Sequence, residues 1–177
     1  MKRLVLAAAA AALFATPALA ALKAGDKAPD FTLQGFQAGK PLTFSLADAR
    51  RKGPVVVYFF PAADTPGCNI EAKMFADAIP QFQAAGATVI GVTAGKLDQL
   101  QKVSSDTDKC SGKFPVAADP GAKVAKEYDA TLPAGISNRT SYVISPQGQV
   151  LHVHSEMNPN EHVAQTLGAV RAWKAKK

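Results

Sequence analysis

Two cysteines, Cys68 and Cys110, carry the most reactive side chains in this 177-residue sequence. Cys68 closes the stretch FFPAADTPGC, residues 59–68, in which an apolar run stops at Pro61 and gives way to small, turn-forming residues. Residues 64–68 read as a helix start. Thr65 suits the N-cap, Pro66 the first helical position, and Cys68 falls in the first turn. Free N–H groups there face the sulfur, and the positive end of the helix dipole favours an anion. A free cysteine ionises near ~8.5, whereas first-turn cysteines reach ~3.5–7.5. A dithiol oxidoreductase would need C-x-x-C, but Thr65 occupies the place of its first cysteine. The local pattern is that of a single-cysteine nucleophile. Cysteine count alone argues otherwise, because two cysteines in an oxidising compartment most simply form a structural disulfide.

The elements that must hold Cys68 follow from hydrophobic period. DFTL and LTFSL, joined through Gly35 and Gly39, read as a hairpin. VVVYFF, residues 55–60, is a continuous β-branched and aromatic run suited to a central strand covered on both faces. Beyond Cys68, Ile70, Met74, Ala78 and Phe82 recur at four-residue steps with Phe75 and Ile79 beside them, a helix face expected to end or kink at Pro80. ATVIGVT is a second central strand, and residues 97–103 a second helix. FPVAAD is a short strand, and residues 122–128 a helix. TSYVIS and QVLHVH are strands joined by a turn at Pro146-Gln147-Gly148, and Val163, Leu167 and Val170 mark a closing helix that carries Trp173. This order predicts an α/β, three-layer, thioredoxin-like domain with a central mixed β-sheet.

The motifs carry a resemblance. Pro61-x-x-x-Thr65-x-x-Cys68 resembles the peroxiredoxin pattern P-x-x-x-[TS]-x-x-C, and TPGCNIEA is similar to the T-P-G-C-T-x-E-A of the peroxiredoxin Q group, the bacterioferritin comigratory proteins. GDKAPDFTL resembles the opening of that family, and FPVAADPGAKVAKEY a later segment. NRTSYVIS resembles the segment bearing the family's active-site arginine, here Arg139. The resemblance spans roughly residues 22–172 and implies a thiol-dependent peroxidase. Cys68 would be the peroxidatic nucleophile, Arg139 and Thr65 would orient peroxide, and Pro61 would shape the loop. No cofactor or metal is implied. The partners would be a hydroperoxide and an external thiol reductant such as a thioredoxin-like or glutaredoxin-like protein. The resolving cysteine of many peroxiredoxin Q proteins lies five residues after the first, where this chain has Lys73. Cys110, in TDKCSGKFP, is then the candidate resolving cysteine; without it the chain would be a one-cysteine enzyme. A monomer and a dimer both remain open. The alternative is a non-catalytic thioredoxin-fold binding module with a Cys68–Cys110 disulfide.

Other chemistry-bearing residues admit simpler readings. Glu71 either pairs with an arginine or is a solvated first-turn acid. His152 and His154 share a strand face and with His162 could suggest a metal site. No carboxylate or cysteine spacing supports one, so they read as exposed strand histidines.

The N-terminal residues have the layout of a secretory signal. Lys2 and Arg3 precede an apolar run, Pro17 breaks it, and Ala18-Leu19-Ala20 forms an A-x-A cleavage pattern. Residues 1–20 are therefore expected to be removed, leaving a single domain over residues 21–177, exported to the periplasm and free of the membrane. Without Lys2 and Arg3 the 20 basic residues become 18 against 14 acidic, a charge of +4. The charge is scattered, with no basic stripe interleaved with aromatics, so nucleic acid is not an expected partner.

Overall fold

Val55, Val56, Val57, Tyr58 and Phe59 are all buried and form β3 (Val55–Phe59), the strand that delivers the chain to the Cys68 loop. The structure, a computed structural model, describes residues 22–176; the expected signal peptide lies outside the described residues. A seven-stranded mixed sheet is built around β3. β4 (Thr88–Thr93) lies parallel beside it, and β5 (Val116–Ala118) parallel beside β4. On the other side β8 (Thr140–Ile144) and β9 (Val150–Ser155) continue antiparallel. The hairpin of β1 (Thr32–Gln37) and β2 (Lys40–Ser45) completes the sheet against β5, giving the order β2-β1-β5-β4-β3-β8-β9.

Strand alternation sorts the side chains into two cores. Val56, Tyr58, Val89, Val116 and Val143 face α2 (Pro66–Ala84), α3 (Leu97–Ser105) and α5 (His162–Lys174). Val55, Val57, Phe59, Ile90 and Ile144 face α1 (Leu46–Arg50) and α4 (Lys123–Glu127). The three-layer, thioredoxin-like architecture read from the sequence is the one observed. The short α1 and a small hairpin of β6 (Thr131–Leu132) and β7 (Ile136–Ser137) are additions whose few residues carry no clear period.

Two expectations about α2 are corrected. The helix does not end at Pro80 but continues to Ala84. An interior proline costs about 3 kcal/mol, but Ile79 and Phe82 are buried on the last turns, at 6% and 0% exposure. Each such burial contributes roughly 1.5–3 kcal/mol, enough to carry the helix across the break. The buried stripe is also rotated from the predicted one. It runs through Cys68, Glu71, Ala72, Phe75, Ala76, Ala78, Ile79 and Phe82, while Ile70 is 52% exposed and Met74 half-buried. The four-residue spacing was compatible with either face, and packing on the sheet chose the one that turns Cys68 and Glu71 inward.

Tyr58 shows how tightly this helix sits. Its ring stacks on Phe75 with centroids 4.4 Å apart and planes 16° off parallel. On its other flank a Cβ at Gly91 would lie 2.7 Å from the Tyr58 ring, so β4 needs glycine there.

Candidate active site

The backbone at Thr65 is extended (φ −101°, ψ 148°), Pro66 opens the helix, and Cys68 follows in its first turn. The hydroxyl of Thr65 does not cap that turn as expected. It donates instead to Ala62 O at 3.3 Å, folding the loop onto itself and leaving its oxygen lone pairs to accept. Pro61 ends β3 half-buried, and its carbonyl accepts from the Thr93 hydroxyl at 3.4 Å. Asp64, with φ 60°, supplies the left-handed step that reverses the chain ahead of Thr65.

Arg139 reaches Cys68 from just before β8 on the neighbouring strand. Its Nη2 donates to Cys68 Sγ at 3.6 Å, its Nε donates to Met157 O at 2.9 Å, and its Nη1 pairs with Glu71 Oε2. Arg139 is 4% exposed and Glu71 0%. Three separate acceptors thus fix the plane of one guanidinium over the sulfur. Gly67 makes room for it, since a Cβ there would stand 3.3 Å from Arg139 Nη2. The solvated reading of Glu71 is excluded by this burial.

Behind this pair lies His162, the first residue of α5 and fully buried. Its Nε2 faces the Glu156 carbonyl at 2.9 Å and therefore carries the proton, so Nδ1 accepts from the Ser141 hydroxyl at 2.8 Å. Nδ1 is also 3.7 Å from Glu71 Oε1, a buried oxygen without a hydrogen-bond partner. Burial holds the His162 imidazole down to about 4, keeping it neutral. Burial likewise pushes the Glu71 carboxyl up to about 8, against the pull of Arg139. His152 and His154 are half-buried on β9, not exposed as expected, and the His154 ring meets His162 edge-on at 4.6 Å. Among the described residues no group of three or more histidines, cysteines and acids is placed to hold a metal ion.

Cys110 belongs to the same apolar core as Cys68 but has a different setting. It sits in the turn after α3, is 0% exposed, and has its thiol pushed up to about 12 by burial. Both cysteines are free thiols. Tyr58 lies close enough to feel both. Burial raises its hydroxyl well above its ordinary value, and the charges of Cys110, Glu71 and Cys68 raise it further. Lys109, beside Cys110, pairs with Asp64 in the Cys68 loop and with Asp106 at 3.1 Å. The structure thus brings Cys68, Thr65 and Arg139 onto one helix start and leaves Cys110 in its own sealed turn. Ser141, His162 and Lys109 were not singled out for these roles from sequence. Each is isolated there, and only sheet pairing and loop packing bring them to the site.

A thioredoxin-like sheet whose helix-start cysteine faces a buried arginine, with no C-x-x-C partner, defines a thiol protein of the thioredoxin-like fold that lacks the adjacent dithiol. The chain belongs to the AhpC/TSA family, which matches residues 24–153. It is 36% identical over 146 residues to peroxiredoxin Q, chloroplastic, of Oryza sativa subsp. japonica, covering 81% of this chain and 64% of that protein's length. It is 33% identical over 153 residues to peroxiredoxin Q, chloroplastic, of Sedum lineare, covering 85% and 78% respectively. Among solved structures, the peroxidoxin BcpB from Mycobacterium tuberculosis superposes with a TM-score of 0.75 at 29% identity, covering 85% of this chain and 97% of that one. The reduced 2-Cys peroxiredoxin of Plasmodium vivax shares the fold, with a TM-score of 0.78 at 19% identity.

Proposed function

We propose that this chain is a thiol-dependent peroxidase that reduces hydrogen peroxide and organic hydroperoxides at Cys68. The observation that carries the reading is the contact of Arg139 Nη2 with Cys68 Sγ at 3.6 Å, in the first turn of a helix. The Cys68 thiolate attacks the terminal peroxide oxygen. An S–O bond forms as the O–O bond breaks, and the electron pair leaves with the other oxygen, which takes a proton to become water or an alcohol. Sulfur is oxidised by two electrons to a sulfenic acid. Charge moves from sulfur to the leaving oxygen during this step. Donors fixed beforehand stabilise it without reorganising. Arg139 is such a donor, held by Glu71 and Met157 O. Thr65 has spent its hydrogen on Ala62 O, so its oxygen accepts the hydroxyl of a bound hydroperoxide. Pro61 shapes the wall of the loop.

The sulfenic acid returns to thiol in two further steps. Cys110 attacks it, forming a Cys68–Cys110 disulfide and releasing water. An external thiol reductant, a thioredoxin-like or glutaredoxin-like protein, then reduces that disulfide. The enzyme works outside the cytoplasm after cleavage behind Ala20, a placement supported by the charged, apolar and A-x-A pattern of residues 1–20. Among the described residues no helix is long and apolar enough to cross a membrane.

Cys68→Ser tests the central claim. It is expected to abolish peroxide consumption with an external thiol while circular dichroism and melting stay close to wild type. Turnover retained by that variant would remove Cys68 as the nucleophile. Intact mass of the exported protein tests the cleavage site, with Ala21 expected as the first residue.

A further inference from the structure

Lys109 spans two loops that are distant in sequence and each hold one of the cysteines. Its side chain is 11% exposed, and its ammonium pairs with Asp64, 45 residues earlier, and with Asp106 Oδ2 at 3.1 Å. Asp64 lies directly before Thr65 on the approach to Cys68. Asp106 closes the turn that holds Cys110, because its carbonyl accepts from Lys109 N at 3.1 Å and Ser111 N at 2.9 Å. Among the described residues no other ion pair joins these two loops. Beside this pairing, Asn69, Ile70, Lys73 and Met74 of α2 line a cleft together with Asp108 of the Cys110 turn.

A resolving cysteine must be a thiolate when it attacks. In its turn Cys110 is fully buried, and no guanidinium donates to its sulfur as Arg139 does to Cys68. The turn must therefore open before Cys110 reacts, and Lys109 is the residue whose ion pairs tie that turn to the Cys68 loop. A lysine held by two carboxylates from different loops resists movement of either one.

We propose that Lys109 is a positioning residue that clasps the Cys110 turn to the Cys68 loop and so sets how fast the sulfenic acid on Cys68 is resolved within the chain. The proposal rests on the assignment of Cys68 and Cys110 above. The step it times is Cys68–SOH plus Cys110–SH giving a disulfide and water, with no net change in oxidation level. While the clasp holds, the sulfenic acid persists. An external thiol or a second hydroperoxide then competes for it, the latter giving sulfinic acid.

The test uses the reduced full chain, one equivalent of hydrogen peroxide, rapid alkylation and non-reducing peptide mass analysis. Lys109→Met and the nearly isosteric Asp64→Asn are both expected to form the 68–110 disulfide roughly threefold to tenfold faster than wild type, the range set by a partly buried ion pair. Sulfinic acid at Cys68 should fall under excess peroxide, while the rate of Cys68 oxidation itself stays unchanged. Lys109→Arg, which keeps the charge, should restore the wild-type rate. Disulfide formation only in the variants would be the strongest support. A rate equal to wild type or slower in both folded variants, with wild type forming the bond, overturns the clasp alone. Oxidation of Cys68 with no 68–110 bond in any protein overturns both the clasp and the role of Cys110.

Discussion

Cys68 and Cys110 are buried almost equally, at 5% and 0% exposure, and share one apolar core. Burial therefore does not distinguish them. What differs is the polar shell. Around Cys68 the chain assembles a helix start and a guanidinium held in place by Glu71. Around Cys110 it supplies apolar packing and a neighbouring lysine paired with two carboxylates. A thiol in the interior is inert or reactive according to which charges the fold can afford to bury beside it.

The largest expected effect is on labelling of Cys110. Burial raises its thiol from 9.0 to about 12, which leaves roughly a thousandfold less thiolate at neutral pH. Cys110 in the folded, reduced protein should react with iodoacetamide about a thousandfold more slowly than in urea, and after Cys68. Equal labelling of the two cysteines in the folded protein would erase the contrast.

Arg139→Met should slow Cys68 oxidation by hydrogen peroxide about 100- to 1000-fold, the cost of removing one fixed transition-state donor. It should also destabilise the fold by about 1–3 kcal/mol, because the buried Glu71 carboxyl loses its hydrogen-bond partner. The double variant Arg139→Met with Glu71→Met should regain stability and not rate. Recovery of both together would reduce the pair to a structural feature.

The neutral His162 behind that pair gives a pH signature. Its folded value of about 4 lies below the ordinary 6.5, so below about pH 6.5 the unfolded chain binds a proton that the native chain refuses. This contribution is complete above pH 6.5 and is lost as pH falls toward 4, by about 3 kcal/mol in all. Glu71 works in the opposite sense. Raised from 4.5 to about 8, it favours the fold at low pH and costs stability as pH rises through that window. Comparing urea unfolding of wild type and His162→Gln isolates the histidine. The stability gap between them should shrink by about 3 kcal/mol between pH 7 and pH 4, and a constant gap would place the charged form of His162 in the fold.

Gly67→Ala should have the smallest effect. Its Cβ would sit 3.3 Å from Arg139 Nη2, so the guanidinium must yield by a few tenths of an ångström. Peroxide reduction should slow about twofold to fivefold with stability held or slightly raised, since alanine suits a helix better by up to ~1 kcal/mol. No change in rate would mean that the fit of Arg139 over the sulfur has slack.

Much of this protein was set by local pattern. The apolar run at residues 55–60, the Thr-Pro-Gly-Cys helix start, the turn at Pro146-Gln147-Gly148 and the order of strands and helices each follow from side-chain period and backbone restriction within a few residues. Cys68, Thr65 and Arg139 were accordingly legible as candidates from motif and position. Sequence could not decide which face of α2 turns inward, because Ile70 and Met74 fit the helical spacing as well as Glu71 and Phe75 do. Only the sheet's packing surface put Glu71 inside and Ile70 out. Nor could it carry α2 past Pro80, where burial of Ile79 and Phe82 outweighs a local penalty. The partnerships of Arg139 with Glu71, His162 with Ser141, and Lys109 with Asp64 span 68, 21 and 45 residues. Polar contacts at that range have no sequence period. They exist because strands distant in the chain lie side by side, and tertiary structure alone brings them within hydrogen-bonding distance.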